Sequence, residues 1–91
     1  MNDDNFKKLL SSVAFIVEEI KKYKKNPQKE KKEKIESYLS ELQHLSKSVG
    51  GKILEEYYLL EEKIFRFFED LKSYDDLQEA LVHFNNELLE L

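Results

Sequence analysis

His44 is the residue of this chain whose type and spacing most suggest chemistry. Glu41 precedes it by three positions, and a glutamate and a histidine so spaced share one helix face and can bind one metal ion. Dimetal bundles need two such pairs, but the second histidine, His83, has Ala80 at the matching position. The apolar pattern also puts His44 about 140° from its helix's apolar stripe, so we expect it to face solvent. We therefore predict no metal site and no cofactor.

Other forms of catalysis also lack their residues. The chain has no cysteine, so thiolate nucleophiles and disulfides are excluded. Its two glycines are adjacent, and no glycine-rich loop that could cradle a phosphate is present. Nothing in the spacing places a histidine beside a serine nucleophile. The sequence therefore predicts a protein that is not an enzyme.

The sequence HLSKSVGGKI, which begins at His44, resembles in part the motif of the histidine phosphotransfer domain. That family is a four-helix bundle in which an exposed helical histidine carries a phosphoryl group. Its motif has a lysine three positions on, then small residues, then an apolar residue near position nine, which correspond here to Lys47, Ser48 and Ile53. Ser46 departs from the family, which has an apolar residue there, and Ser48 replaces its glycine. The resemblance implies an alternative function, phosphorelay, with His44 as phosphoryl carrier and Lys47 offsetting its charge.

A run of lysines between residues 21 and 34 could contact phosphates of a nucleic acid or of another anionic surface. It holds eight lysines against two glutamates. However, the run contains one aromatic residue, Tyr23, and no arginine, and the net charge of −8 over residues 53–91 would repel a polyanion. We interpret the run as solvated or paired within the chain, and anion binding is the third function considered. Its lysines are Lys21, Lys22, Lys24, Lys25, Lys29, Lys31, Lys32 and Lys34.

Four helices must position these residues. Apolar residues recur at intervals of three and four, which is a helical repeat, and nowhere alternate as in a strand. Pro27 suits the first turn of the second helix, and Gly50 and Gly51 can end it. The sequence predicts helices over about 4–25, 27–49, 52–72 and 74–90.

The connections between these helices are short, which makes successive helices antiparallel. The predicted fold is therefore all-α, an antiparallel up-down four-helix bundle forming a single domain over residues 1–91. The longest apolar run, Val13 to Val17, is far too short for a membrane span. The first residues, MNDDNF, are acidic and polar, unlike a secretion signal. We expect a small acidic protein of the cytoplasm.

Four apolar residues are not accounted for by a simple core. Phe15 lies among the polar positions of the first helix, and Leu59 lies opposite the stripe of the third. Tyr58 and Phe65 widen the apolar arc of the third helix. Exposed aromatic residues of this kind are typical of binding surfaces. The sequence predicts a regulatory protein that binds another protein through a helical face, as an adaptor, inhibitor, immunity protein or antitoxin. A second copy of the chain could also cover apolar arcs this wide, so a homodimer is a further possibility.

Overall fold

The computed structural model describes residues 3–91, which form four helices and no strand. These are α1 (Asp3–Lys25), α2 (Lys29–Val49), α3 (Gly51–Glu69) and α4 (Tyr74–Leu89), with a short 3-10 turn at Leu71–Ser73. Each helix packs on the next, and α4 returns to α1. None of the helices in this range is both long enough and apolar enough to cross a bilayer. The predicted all-α four-helix bundle is confirmed.

The start of α2 differs from the prediction. The helix begins at Lys29, two residues after the predicted start, because Gln28 is extended with φ −130° and ψ 146°. The Gln28 carbonyl accepts hydrogen bonds from the amides of Lys31 and Lys32, each at 3.1 Å. Pro27 therefore lies in the connection rather than in the first helical turn.

The end of α3 also differs. The helix stops at Glu69, short of the predicted end near residue 72, because Asp70 leaves the helical conformation with φ −146° and ψ 102°. The Asp70 carboxylate accepts a hydrogen bond from the Lys72 amide at 3.0 Å, and its carbonyl accepts one from the Ser73 hydroxyl at 2.8 Å. These hydrogen bonds end α3 and start the 3-10 turn. The spacing of apolar residues does not reveal them, so the predicted end of the helix is too late.

Large apolar side chains from all four helices fill the centre of the bundle. Tyr57, Phe67 and Phe84 are the bulkiest fully buried ones. Among neighbouring helices, α1 and α4 are the least closely packed pair. The buried apolar residues are Leu9, Val13, Ile16, Ile20, Tyr23, Ile35, Leu39, Leu42, Leu45, Ile53, Tyr57, Leu60, Ile64, Phe67, Leu77, Leu81, Phe84 and Leu88.

A single residue connects α2 to α3. Gly50 adopts φ 73° and ψ −162°, and Gly51, with φ 53°, begins α3. Positive φ values are strained for residues with a Cβ, so glycine is the residue that allows this sharp reversal. The predicted end of the second helix at the glycine pair is confirmed.

An aromatic cluster closes the end of the bundle at which α1 and α3 stop. The Tyr23 ring meets the rings of Phe67 and Phe68 edge-on, at centroid distances of 5.7 and 5.2 Å. Phe67 also contacts the Tyr74 ring at 5.8 Å. These contacts join α1, α3 and α4 at one end and favour a fixed arrangement of the helices there.

Candidate interaction surfaces

The side of the bundle formed by α2 and α3, here called the α2/α3 face, carries two exposed aromatic rings. Tyr58 and Phe65 lie two helical turns apart on α3, and each is 44% exposed. The Tyr58 ring packs edge-on against Tyr57 at 5.4 Å, and the Phe65 ring is tilted against Phe68 at 6.3 Å. Because both rings rest on neighbouring aromatic side chains, they are presented in restrained positions.

A carboxylate lies between these two rings in the sequence and on the same side of α3. Glu61 is half-buried and accepts a hydrogen bond from the Tyr57 hydroxyl at 2.6 Å. The same hydroxyl oxygen lies 3.2 Å from the Leu39 carbonyl oxygen, which links α3 to α2. The α2/α3 face therefore presents a fixed negative charge flanked by two aromatic surfaces.

The Tyr57 hydroxyl is held in its protonated form. Burial is the main cause that raises its pKa well above the ordinary tyrosine value, and the hydrogen bond to Glu61 and the negative charge of that carboxylate raise it further. In the unfolded chain the hydroxyl loses its proton near pH 10. Protonated Tyr57 therefore contributes stability below about pH 10, and this contribution is lost as the pH rises from there towards the folded-state pKa.

We expect Tyr57→Phe to remove this alkaline sensitivity. Above about pH 10 the wild-type free energy of unfolding should fall by up to about 1.4 kcal/mol per pH unit because of Tyr57, and the variant should lack this component. At neutral pH the variant should be less stable by about 1 kcal/mol, since it loses the hydroxyl's hydrogen bonds. Urea denaturation from pH 7 to 11 measures both effects. Tyr58→Phe retains Tyr57 and serves as the control, and an identical decline in all three proteins would contradict the assignment.

The other two residues predicted for an interface, Phe15 and Leu59, lie on different sides of the bundle. Both are 54% exposed. The Phe15 ring stacks on Tyr38 of α2 at 5.5 Å, between α1 and α2. Leu59 lies in the groove between α3 and α4, beside Ala80 and His83. The structure thus brings Tyr58 and Phe65 together but does not bring Phe15 or Leu59 to the same face.

His44 is exposed on the outer side of α2, as the sequence predicts. Lys47, one turn away, is exposed as well, and within residues 4–91 neither side chain has an ion-pair partner. The Ser48 hydroxyl donates to the His44 carbonyl at 3.3 Å. Ser46 faces the core and is fully buried.

Much of the lysine run is engaged within the first two helices. Lys21 and Lys22 pair with glutamates of α1, Lys29 pairs with Glu33 of α2, and Lys34 reaches Glu19 of α1 at 3.3 Å. Two other lysines lie over aromatic rings. The Nζ of Lys24 is 4.0 Å from the centroid of Tyr74, and that of Lys32 is 5.3 Å from the centroid of Phe68. Anion binding by the run stays a prediction.

A polar network joins α3 and α4 at Glu56 and Glu87, which are both largely buried. His83 Nε2 lies 3.0 Å from Glu56 and 4.0 Å from Glu87. Lys52 Nζ lies 3.1 Å from Glu87, and this hydrogen bond, followed by the charge of Glu87, raises the pKa of Lys52. Within residues 4–91 no group of three or more metal-ligating side chains is arranged to hold a metal ion. The network is an interhelical contact that fixes α4 against α3.

One apolar surface was not identified from the sequence. It lies on the side formed by α1 and α4, here called the α1/α4 face, and comprises Leu10, Ala14 and Val17 of α1 with Val82 and Leu89 of α4. Val82 is 60% and Leu89 is 62% exposed. The two residues are seven positions apart and share a helix face next to the core stripe, a signal that the sequence contains. The sequence does not show that α1 leaves Val82 and Leu89 uncovered.

An open groove runs along the α1/α4 face. It includes a volume of about 880 Å³ lined by Val17, Lys21, Asp75, Glu79 and Val82. A second volume of about 390 Å³ continues past Val17 and Val82 to Leu10 and Ala14. Because the same two valines line both volumes, the groove is continuous along the bundle.

Comparison of the chain with protein-family models, curated proteins and solved structures gives no match, so the residues of these surfaces carry the functional interpretation by themselves.

Proposed function

We propose that the protein is a cytoplasmic, non-enzymatic binding protein that docks another protein on its α2/α3 face. The observation that carries the proposal is the pair of exposed rings, Tyr58 and Phe65, which the neighbouring rings of Tyr57 and Phe68 restrain. Aromatic side chains contribute most of the binding free energy in many interfaces, and restrained ones lose little conformational entropy on binding.

The chemistry of this face favours a partner with an apolar surface and a basic side chain. Tyr58 and Phe65, at i and i+7, match the spacing of apolar residues on one side of a helix. Glu61 lies between them, and one of its two carboxylate oxygens accepts the Tyr57 hydrogen bond. An arginine or lysine of the partner could meet Glu61 and lie over one of the rings. The proposed partner is therefore an amphipathic helix with a cationic residue.

Capture of partners from lysate with Tyr58→Ser/Phe65→Ser as bait tests this function. We expect the double variant to bind the captured partner at least about tenfold more weakly than the wild type, because truncating aromatic anchors removes most of an interface's binding free energy. Both rings are partly exposed, so the fold should persist, which far-ultraviolet circular dichroism checks.

Leu59→Ser is the matched control for this experiment. Leu59 is exposed on the same helix but lies towards α4, so its substitution should leave capture unchanged. A partner that binds the Tyr58→Ser/Phe65→Ser variant as strongly as the wild type would show that the function does not reside on the α2/α3 face.

Phosphorelay is the second candidate function, and the exposure of His44 and Lys47 on one side of α2 favours it. A ring nitrogen of His44 would accept the phosphoryl group, and the Lys47 ammonium would offset its negative charge. The same capture experiment separates the two functions when His44→Gln is included as bait. Phosphorelay predicts that a captured response regulator transfers phosphate to the wild type but not to His44→Gln, whereas docking on the α2/α3 face predicts no effect of this substitution.

A further inference from the structure

Charged residues of both helices line the groove between α1 and α4. The α1 edge carries Lys21 and Glu18, and the α4 edge carries Asp75 and Glu79. All four side chains are exposed. Within residues 4–91, neither Asp75 nor Glu79 has an ion-pair partner, and Lys21 makes only a long, exposed pair with Glu18 at 3.8 Å. Lys21 on one edge and the two acidic residues on the other are thus available for an external partner.

The charges and the apolar residues also occur at different heights along the bundle. Lys21, Asp75 and Glu79 line one part of the groove, whereas Leu10, Ala14 and Val82 line the other part, with Glu18 and Asn85 beside them. The α1/α4 face therefore has a charged end and a largely apolar end. A complementary surface must offer acids opposite α1 and bases opposite α4 at one end, and apolar side chains at the other.

We propose that the surface that fits this face is the same face of a second copy of the chain, related by a two-fold axis parallel to the bundle. Such an axis places α1 of one copy over α4 of the other and leaves every residue at its own height. Lys21 then meets Asp75 and Glu79 of the second copy, and this contact occurs twice. Ala14 and Leu10 meet Val82 and Leu89 of the second copy at the apolar end.

The alternative face-to-face arrangement does not match the pattern. A two-fold axis perpendicular to the bundle would place α1 on α1 and α4 on α4 in opposite directions. Lys21 would then lie against the apolar end of the second copy, and its charge would be buried without an acidic partner, which is costly. Only the axis parallel to the bundle pairs both the charges and the apolar residues.

The size of the bundle limits the area that the α1/α4 face can bury. The bundle measures 37 × 22 × 16 Å, so even its whole broad side only reaches the roughly 800 Å² that each partner of a stable complex buries. The apolar residues are few and the polar Gln78 and Asn85 lie among them. We therefore infer a concentration-dependent dimer rather than an obligate one.

Sedimentation velocity from low-micromolar to millimolar concentration tests the dimer. The wild type should shift from monomer to dimer over this range. Val82→Glu should weaken dimerisation by roughly 100-fold or more, because two unpaired carboxylates would be buried at the apolar end. Val82 is 60% exposed, so the monomer should fold normally, and Leu89→Glu repeats the test at a second position. Phe15→Glu introduces the same charge at a residue that is 54% exposed on the other side of α1 and should leave dimerisation unchanged.

A charge exchange tests the axis. Lys21→Glu and Asp75→Lys should each weaken the dimer by about tenfold, and the double variant should dimerise more tightly than either single variant, although Glu79 prevents full recovery of the wild-type dissociation constant. A wild type that stays monomeric at every concentration overturns the proposal. An equal loss of dimer affinity in Phe15→Glu and Val82→Glu overturns it as well. A double variant weaker than either single one overturns the parallel axis. These outcomes are independent of partner docking on the α2/α3 face, which involves the opposite side of the bundle.

Discussion

Replacing Phe67 with alanine is expected to lower the free energy of unfolding by about 3–5 kcal/mol. The Phe67 side chain is fully buried, and its ring contacts Tyr23 of α1 and Tyr74 of α4. Its removal leaves a cavity and breaks the aromatic contacts that join three helices at one end. Small domains have about 5–15 kcal/mol of total stability, so this loss is a large fraction of it. Urea denaturation followed by circular dichroism measures the change.

Phe65→Ala is the matched control, two positions away on the same helix. Phe65 is 44% exposed and contacts one other ring, so we expect a loss of no more than about 1 kcal/mol. Equal losses in the two variants would mean that Phe65 is as well packed as Phe67, and the α2/α3 face would then keep only Tyr58 as a free anchor. The pair of measurements thus separates the residue that builds the fold from the residue proposed to bind the partner.

The difference between these two phenylalanines could be predicted in part from the sequence. Positions 57, 60, 64 and 67 follow one another at intervals of three and four, and all four residues are buried. A stripe of this kind is a local property of one helix, which explains why the helices, their number and their inward faces follow from the sequence. The exposure of Phe15 and Leu59 follows from the same argument, because both lie away from their stripes, whereas Tyr58 and Phe65 lie at the edge of a wide apolar arc and each stays 44% exposed.

Which exposed residues form a common surface could not be predicted from the sequence. Tyr58 and Leu59 are consecutive, yet one lies on the α2 side of α3 and the other on the α4 side, and the identity of those neighbours is a tertiary property. Val82 and Leu89 were overlooked for the same reason, because the groove between α1 and α4 depends on how closely those helices pack. Ser46 is a polar residue that the fold buries, whereas Val82 and Leu89 are apolar residues that it exposes. The Ser46 hydroxyl is fully buried and has no hydrogen-bond partner within residues 4–91, and a pattern of apolar residues does not reveal a polar residue at a core position.

The two proposed surfaces lie on opposite sides of the bundle. The order of packing places α1 beside α2 and α4, and α3 beside α2 and α4, so the α2/α3 face and the α1/α4 face do not share a helix. A dimer formed through α1 and α4 would leave both α2/α3 faces exposed. Two docking faces on one particle raise the apparent affinity for a partner that is itself dimeric or clustered on a surface. Val82→Glu should remove this gain and leave the affinity of a single docking face unchanged.

Replacing both Gly50 and Gly51 with alanine is expected to destabilise the monomeric bundle by about 2–5 kcal/mol. Both glycines have positive φ, and Gly50 has in addition a ψ of −162°, a combination that is essentially restricted to glycine. An added Cβ would meet no atom within 4 Å at either position, so the whole cost comes from the backbone conformation rather than from a clash. Gly51→Asn should cost less than Gly51→Ala, because asparagine tolerates a left-handed conformation better, whereas Gly50→Asn and Gly50→Ala should be similarly harmful.

The double variant should also change the shape of the molecule. Alanine strongly favours the helical conformation, so the chain can relieve its strain by joining α2 and α3 into one continuous helix from Lys29 to Glu69. At 1.5 Å per residue this helix would be about 60 Å long, well beyond the 37 Å length of the bundle. Its apolar stripes could then be covered only by a second chain, as in a domain-swapped dimer. Small-angle X-ray scattering in the Val82→Glu background detects the elongation without interference from the α1/α4 face. An unchanged scattering profile together with an unchanged free energy of unfolding would show that the reversal between α2 and α3 does not depend on glycine.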